Sequence, residues 1–341
     1  MLGAAAALVA GLAVPAHAAE TPWRTTAAPS GLWPESGLTS ATATGPRDIW
    51  AAGFEGHSCV DWSWPGLGAG SICSSNAIVR KWNGTAWENH NPPGAWNLEI
   101  QDIDASTPAN VWLSGSKMGQ GYLARWDGSR WTQITLPESC KTATYLQLEA
   151  VAGGVWAVNG CFARWQNGTW TTYDEDVFVH RVHAVGDTEL WADGSTLGPY
   201  GPAMLRWDGT AWSTPDVPDG YTDLLTAGPG GVLLGGPGKT DLMLRRAGTW
   251  TAIPEPPSDQ IGYRIADDGS VWTGADPRDA GALFYRFDGQ AWQSTPVPAR
   301  TGTGSRNRGG FDLTPVPAAN GAMFAAATAP GGGPLTMTDQ P

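Results

Sequence analysis

The side chains best suited by type to recognise a ligand stand together in one stretch, Phe54 to Asn76, which holds His57, Asp61, Trp62 and Trp64 and is expected to be tied by Cys59 and Cys73. An indole covers the apolar face of a sugar ring and a carboxylate accepts from its hydroxyls, so aromatic platforms with acidic neighbours suit carbohydrate. Trp62 and Trp64 share a side if the stretch is extended, because side chains alternate along a strand. Other segments offer less. Gly238-Lys239-Thr240 imitates a phosphate loop, but that motif needs a glycine where Leu233 stands and a helix afterwards. His180 and His183 would share a face on a helix; on a strand, residues three apart point to opposite sides, so no shared metal ion is expected. The chain contains no Gly-x-Ser-x-Gly, no His-Glu-x-x-His and no Asp-x-Asp-x-Asp-Gly loop. The acidic pairs Asp102 with Asp104, Asp174 with Asp176, and Asp267 with Asp268 read as solvated loops or turns rather than calcium sites. No catalytic residue, metal or cofactor is assigned.

The elements that must carry these residues are set by a ladder of tryptophans: Trp87, Trp131, Trp170, Trp212, Trp250 and Trp292, at intervals of 44, 39, 42, 38 and 42 residues. That is the length of one four-stranded propeller blade and too irregular for a solenoid. Before most of these tryptophans stands a tight turn, as in Arg125-Trp126-Asp127-Gly128-Ser129-Arg130-Trp131 and Arg206-Trp207-Asp208-Gly209-Thr210-Ala211-Trp212. Asn-Gly and Asp-Gly favour a two-residue hairpin, which would set Trp207 opposite Thr210 and Leu205 opposite Trp212. The copies around Asn167-Gly168 and Ala247-Gly248 are degenerate, and their turns are expected to differ in type.

Ahead of each hairpin comes an alternating strand, a polar turn and a short apolar strand, often with Val-Trp. This unit occurs seven times: Leu38–Gly53, Ile100–Gly115, Leu146–Gly160, Val179–Gly194, Tyr221–Gly236, Ile261–Gly274 and Phe311–Thr328. The last copy has no tryptophan strand after it, whereas Trp23 has no strands before it. The expected architecture is therefore an all-β, seven-bladed propeller of four-stranded antiparallel blades, with an N-terminal strand completing the C-terminal blade and removing the exposed edges. The repeat tryptophans are read as core, each able to bury roughly 150–250 Å².

With these repeats the chain resembles secreted bacterial β-propellers that read Val-Trp-x-x-Gly followed by Arg-Trp-Asp-Gly-Thr-x-Trp, a group near the kelch and galactose oxidase superfamily. The likeness runs from Trp23 to about Thr338. It implies fold and export more than chemistry. The turn also looks like the Asp-box of sialidases, a structural motif that brings no activity with it.

Residues 1–18 are an uncharged apolar run ending Ala16-His17-Ala18, the pattern of a secretory signal peptide, which leaves residues 19–341 as one propeller domain. No later run is long and apolar enough to enter a membrane. With 32 acidic against 20 basic side chains and a net charge of −12, nucleic acid is not an expected partner. The four cysteines of an exported chain read as two disulfides. Of three possible pairings, Cys59 with Cys73 and Cys140 with Cys161 are favoured because each closes a short loop, worth roughly 3 kcal/mol; a metal site is the rival reading.

From the aromatic of the second strand to that of the third, blades take 14, 9, 16 or 15 residues, but Trp50 to Trp82 takes 32. The insertion is read as a Gly-rich loop overhanging the face that also carries His90, Trp96, Tyr200 and Tyr221. Those four join His57, Asp61, Trp62 and Trp64 as candidate ligand-binding residues. The preferred function is a secreted, non-enzymatic lectin-like module binding a glycan or cell-surface polysaccharide, with the targeting subunit of a larger extracellular assembly as one form of it. The alternatives are a protein-interaction scaffold, which would show a broad exposed apolar patch, and an extracellular enzyme acting on polysaccharide or a small metabolite.

Overall fold

The structure is a computed structural model that describes residues 22–64, 66, 68–173, 176–198, 201–257, 261–274, 283–299, 311–330 and 332–340. Seven sheets of four strands form a ring, and within each the strands A to D run outward from the axis. The first blade comprises Gly37–Gly45, Asp48–Trp64, Gly68–Trp82 and Trp87–Asn89; the second Leu98–Thr107, Asn110–Lys117, Gln120–Trp126 and Trp131–Gln133; the third Gln147–Val151, Gly154–Val158, Ala163–Gln166 and Thr169–Thr172. The fourth has Val177–Gly186, Glu189–Thr196, Pro202–Trp207 and Trp212–Ser213; the fifth Asp223–Gly228, Gly231–Gly235, Asp241–Arg246 and Thr249–Pro254; the sixth Ile261–Ile265, Val271–Gly274, Leu283–Phe287 and Trp292–Pro296. The seventh takes Asp312–Pro315, Met323–Thr328 and Pro334–Thr338 from the C-terminal end and is closed by Arg24–Thr25, with Arg24 paired to Thr338. Seven blades and the shared closing blade match the sequence-based expectation.

The turn between strands C and D differs from that expectation. Trp207 faces Trp212 directly, as Trp82 faces Trp87 and Trp126 faces Trp131, across four-residue connections. In these connections the side chain closes the turn: Asp208 Oδ1 accepts the Thr210 N–H at 2.8 Å, the Thr210 hydroxyl at 2.7 Å and the Ala211 N–H at 2.9 Å. Only the glycine needs the left-handed region, Gly209 having φ +100°. The two degenerate copies are the true two-residue turns, since Asn167 and Gly168, and Ala247 and Gly248, all have positive φ. A carboxylate that can cap two N–H groups outcompetes the mirror-image turn.

Two sets of tryptophan hold the ring. Those of strand B, Trp50, Trp112, Trp156, Trp191 and Trp272, are buried between blades. Most place their indole N–H on an acceptor two residues earlier: Asp48, Asn110, Glu189 or Ser270. The third blade has Gly154 at that position, and Trp156 Nε1 has no partner among the described residues. The ladder tryptophans of strand D are half-buried rather than fully core. They clasp the preceding blade, with Trp87 donating to Ala27 O, Trp131 to His90 O, Trp170 to Thr135 O and Trp292 to Pro254 O at 2.6–2.9 Å.

Candidate functional site

Strand A is an edge strand at the centre of the ring, so its outward-facing N–H groups lack ladder partners. Side chains of the neighbouring blade supply them. Asp102 Oδ2 accepts the Leu148 N–H at 2.8 Å and Asp104 Oδ2 the Ala150 N–H at 2.6 Å. Gln147 and Glu149 do the same for Val182 at 3.0 Å and Ala184 at 2.9 Å, and Asp312 for Ala41 at 2.7 Å. Asp102 and Asp104 are thus not solvated loop residues, as the sequence had implied, but pins between blades along the axis. Of the other two pairs, Asp174 lies outside the described residues, and Asp268 pairs with Arg286 and caps the turn at Ser270. Burial pushes the Asp102 carboxyl up to about 7, with the charges of Asp104 and Asp312 adding to it. Burial likewise raises Asp104, and raises Glu149 well above the usual carboxylate range. His183 is driven down to about 3 by burial, aided by Arg264 and Arg181, and stays neutral.

Above these pins the axis opens as a funnel of about 640 Å³, on the face where strand B turns into strand C and one blade passes to the next. Leu38, Ile100, Phe54, Phe311 and Tyr145 line it alongside Asp102, Asp312 and Arg264. His180 and His183 both line it as well. The alternation expected of strand A is broken by a bulge between Val179 and Arg181, which inserts His180 and returns both imidazoles to the axis.

The insertion in the first blade is a projecting β-hairpin, not a loop. Strands B and C continue past the sheet as Ser58 to Trp64 paired with Gly68 to Ser74, and Cys59 faces Cys73 in a disulfide. The second disulfide joins Cys140 to Cys161, so both expected pairings occur. Period-two alternation gives the arm two unlike faces. Val60, Trp62, Trp64 and Ile72 point to one side, and the disulfide, Asp61, Ser63 and Ser71 to the other. The apolar side is bare: Val60 and Ile72 are 70% exposed, Trp64 64% and Trp62 39%. Trp62 lies flat on the opposite strand because Gly70 makes room, since a Cβ at Gly70 would sit 2.8 Å from Trp62 Cζ2.

The seven described candidate residues do not converge on one pocket. Asp61, Trp62 and Trp64 stand on the arm, with His57 at its base, where Nε2 lies 3.4 Å from Cys59 Sγ. That imidazole and the two sulfurs are the one metal-sized grouping among the described residues, and the sulfurs are bonded to each other. Trp96 is exposed beside the arm, its backbone bridged to Asn76. His90 is elsewhere, wedged between Trp50 and Trp126 with ring centroids 5.3 and 4.9 Å away and facing Glu88. It directly follows strand D of the first blade, Trp87–Asn89, and its carbonyl accepts the Trp131 indole N–H of the second blade. Tyr221 is buried, donating to Asp241 at 2.6 Å under Lys239. Tyr200 lies outside the described residues.

A wider pattern was invisible in the sequence. All ten exposed large apolar side chains among the described residues lie on the funnel face. Besides the arm they are Trp33, Trp96, Met118, Tyr145, Phe178 and Leu197, from connections at the first four blades. The opposite face, built from Asp-Gly and Asn-Gly turns, has none among the described residues.

No family model matches the chain, and no curated protein does. Among solved structures it is similar to YCF48 from Cyanidioschyzon merolae, with 15% identity and a TM-score of 0.55 over 93% of this chain and 98% of that one. It is similar to YCF48 bound to a D1 peptide at 12% identity and a TM-score of 0.55, over 93% and 96% of the two chains. U3-55K follows at 10% identity and 0.53, over 93% and 98%. These likenesses establish the propeller fold. Two disulfides fit an oxidising extracellular setting, and no helix among the described residues is long and apolar enough to cross a membrane.

Proposed function

We propose that the chain is a secreted propeller of the bacterial group it resembles, and that it binds a polypeptide on its funnel face. The observation that carries the reading is the placing of all ten exposed large apolar side chains among the described residues on that face, with the amphipathic arm projecting from its first blade. Stable folds do not leave such patches bare without a use, and aromatic side chains dominate the energetics of protein interfaces. That one distant propeller neighbour is described as bound to a peptide is in keeping with it. The hydroxyl-rich opposite face of the arm and its disulfide keep the hairpin standing so that the apolar side stays open.

Carbohydrate binding is the second reading, favoured by Trp62. Its ring, laid flat on Gly70, offers one indole face to a sugar in the way aromatic platforms do. A random dodecapeptide library and a glycan array, each probed with the protein and with a Trp62→Ala, Trp64→Ala variant, separate the two. Enriched peptides with apolar residues, lost in the variant, support polypeptide docking. Glycan binding lost in the variant, with no peptide enriched, replaces it with the lectin reading.

A further inference from the structure

The axial funnel leads from an apolar collar to a floor of carboxyl groups, Asp102, Asp104 and Glu149, that no ion pair holds among the described residues. Its two lining arginines are engaged: Arg181 Nε lies 3.1 Å from Asp193 Oδ1, and Arg264 holds Asp312 at 3.1 Å. Asp102 is met only by neutral dipoles, the Leu148 N–H and the Ser40 hydroxyl. Among the described residues neither it nor Asp104 or Glu149, which lie deeper along the axis, has an ion-pair partner within 4 Å. Burial raises all three carboxyls, and nearby charges add to it: Asp104 and Asp312 on Asp102, Asp312 on Asp104, and Asp104 and Asp102 on Glu149. Three of their oxygens do not come close enough together to ring one metal ion. A site that is acidic at its base, too spread for an ion and collared by Leu38, Ile100, Phe54 and Phe311 matches a long apolar stem ending in a positive head. His183, neutral and with no partner on Nε2, lines the same wall and adds a hydrogen-bonding group without opposing charge.

We propose that the funnel receives one lysine or arginine side chain of the polypeptide that docks on this face, its stem in the apolar collar and its cation on Asp102. This inference rests on the polypeptide-binding reading, from which it takes the source of the cation. The groups around Asp102 set its response to pH: Asp104 on its own strand, Glu149 from the third blade, His183 from the fourth, and the Arg264–Asp312 pair from the sixth and seventh. Only the ionised carboxylate attracts a cation, so binding strengthens as pH rises through about 7, where burial has moved Asp102.

The test is calorimetric titration of the purified protein with Nα-acetyl-lysine methylamide, its arginine analogue, the uncharged norleucine analogue and the free diamine cadaverine. The blocked lysine or arginine should bind at least tenfold more tightly than norleucine, and at least tenfold less tightly at pH 5.5 than at pH 8. Asp102→Asn keeps an acceptor for the Leu148 N–H, and should fold normally by thermal melt while weakening that binding at least tenfold. Equal binding of norleucine, or an unchanged Asp102→Asn, overturns the proposal, and cadaverine binding tenfold more tightly than blocked lysine overturns the side-chain source. Removing Trp62 and Trp64 should leave these titrations unchanged. If it also leaves peptide selection unchanged, the docking reading falls while the cation site stands.

Discussion

Replacing Asn110 by alanine removes the amide that ties the second blade to the third. Asn110 is 5% exposed, and its Oδ1 accepts the Trp112 indole N–H at 3.0 Å. Its two amide hydrogens face Ser106 Oγ at 2.8 Å, Val151 O at 3.0 Å and Gly154 O at 3.3 Å. Three hydrogen bonds at about 1 kcal/mol each are lost, and a buried indole N–H is left unpaired at a further cost of about 1–3 kcal/mol. The expected destabilisation is about 4–6 kcal/mol, read from urea unfolding followed by tryptophan fluorescence. Asp48→Asn is the control. It keeps an oxygen for Trp50 and gives up only the part-exposed Lys81 ion pair, for a loss of under about 1 kcal/mol. The reasoning fails if Asn110→Ala unfolds within about 1 kcal/mol of the parent, or if Asp48→Asn is equally damaging.

The Asp127 and Asp208 turn carboxyls are held down at about 2, chiefly by the Ser129 hydroxyl and the Ala211 N–H respectively. Their stabilisation is complete above the unfolded value near 4 and is lost as pH falls towards 2, so Asp208→Asn should flatten part of the acid limb of a stability-against-pH curve. Replacing Cys140 and Cys161 by serine opens a link of 21 residues and should cost about 3 kcal/mol in global unfolding. The same exchange at Cys59 and Cys73 should leave global unfolding unchanged, while hydrogen exchange in Ser58 to Ser74 accelerates, because the arm stands outside the blade cores. Gly70→Val lifts the Trp62 ring off its strand; peptide binding should drop at least tenfold with no shift in the melting temperature.

The blades were legible because their signals are local. Tryptophans about 40 residues apart and Asp-Gly or Asn-Gly turns state strand and turn within a few residues of one another. The shared seventh blade followed from two incomplete halves. The arm was half legible: its length and its alternation at Val60, Trp62 and Trp64 point to an extended hairpin, but Gly66, Gly68 and Gly70 read as loop. In the structure Gly70 instead makes room for Trp62. The axial pins were not legible at all, since Asp102 and the N–H it serves are 46 residues apart. A repeated signal was there to find, in the polar pairs Ser40 and Thr42, Asp102 and Asp104, Gln147 and Glu149, at matching places of three A strands. His180 escaped alternation through a bulge that nothing nearby in sequence marks. The apolar face is assembled from connections of separate blades and exists only once the ring closes.

Hydrogen exchange of the protein with and without a peptide selected from the library tests the docking face most directly. Protection is expected along Ser58 to Trp64 and Gly68 to Ser74 and at Trp96, Met118 and Tyr145 on the same face. Protection confined to the Asp-Gly turns, or to the outer D strands, would contradict it.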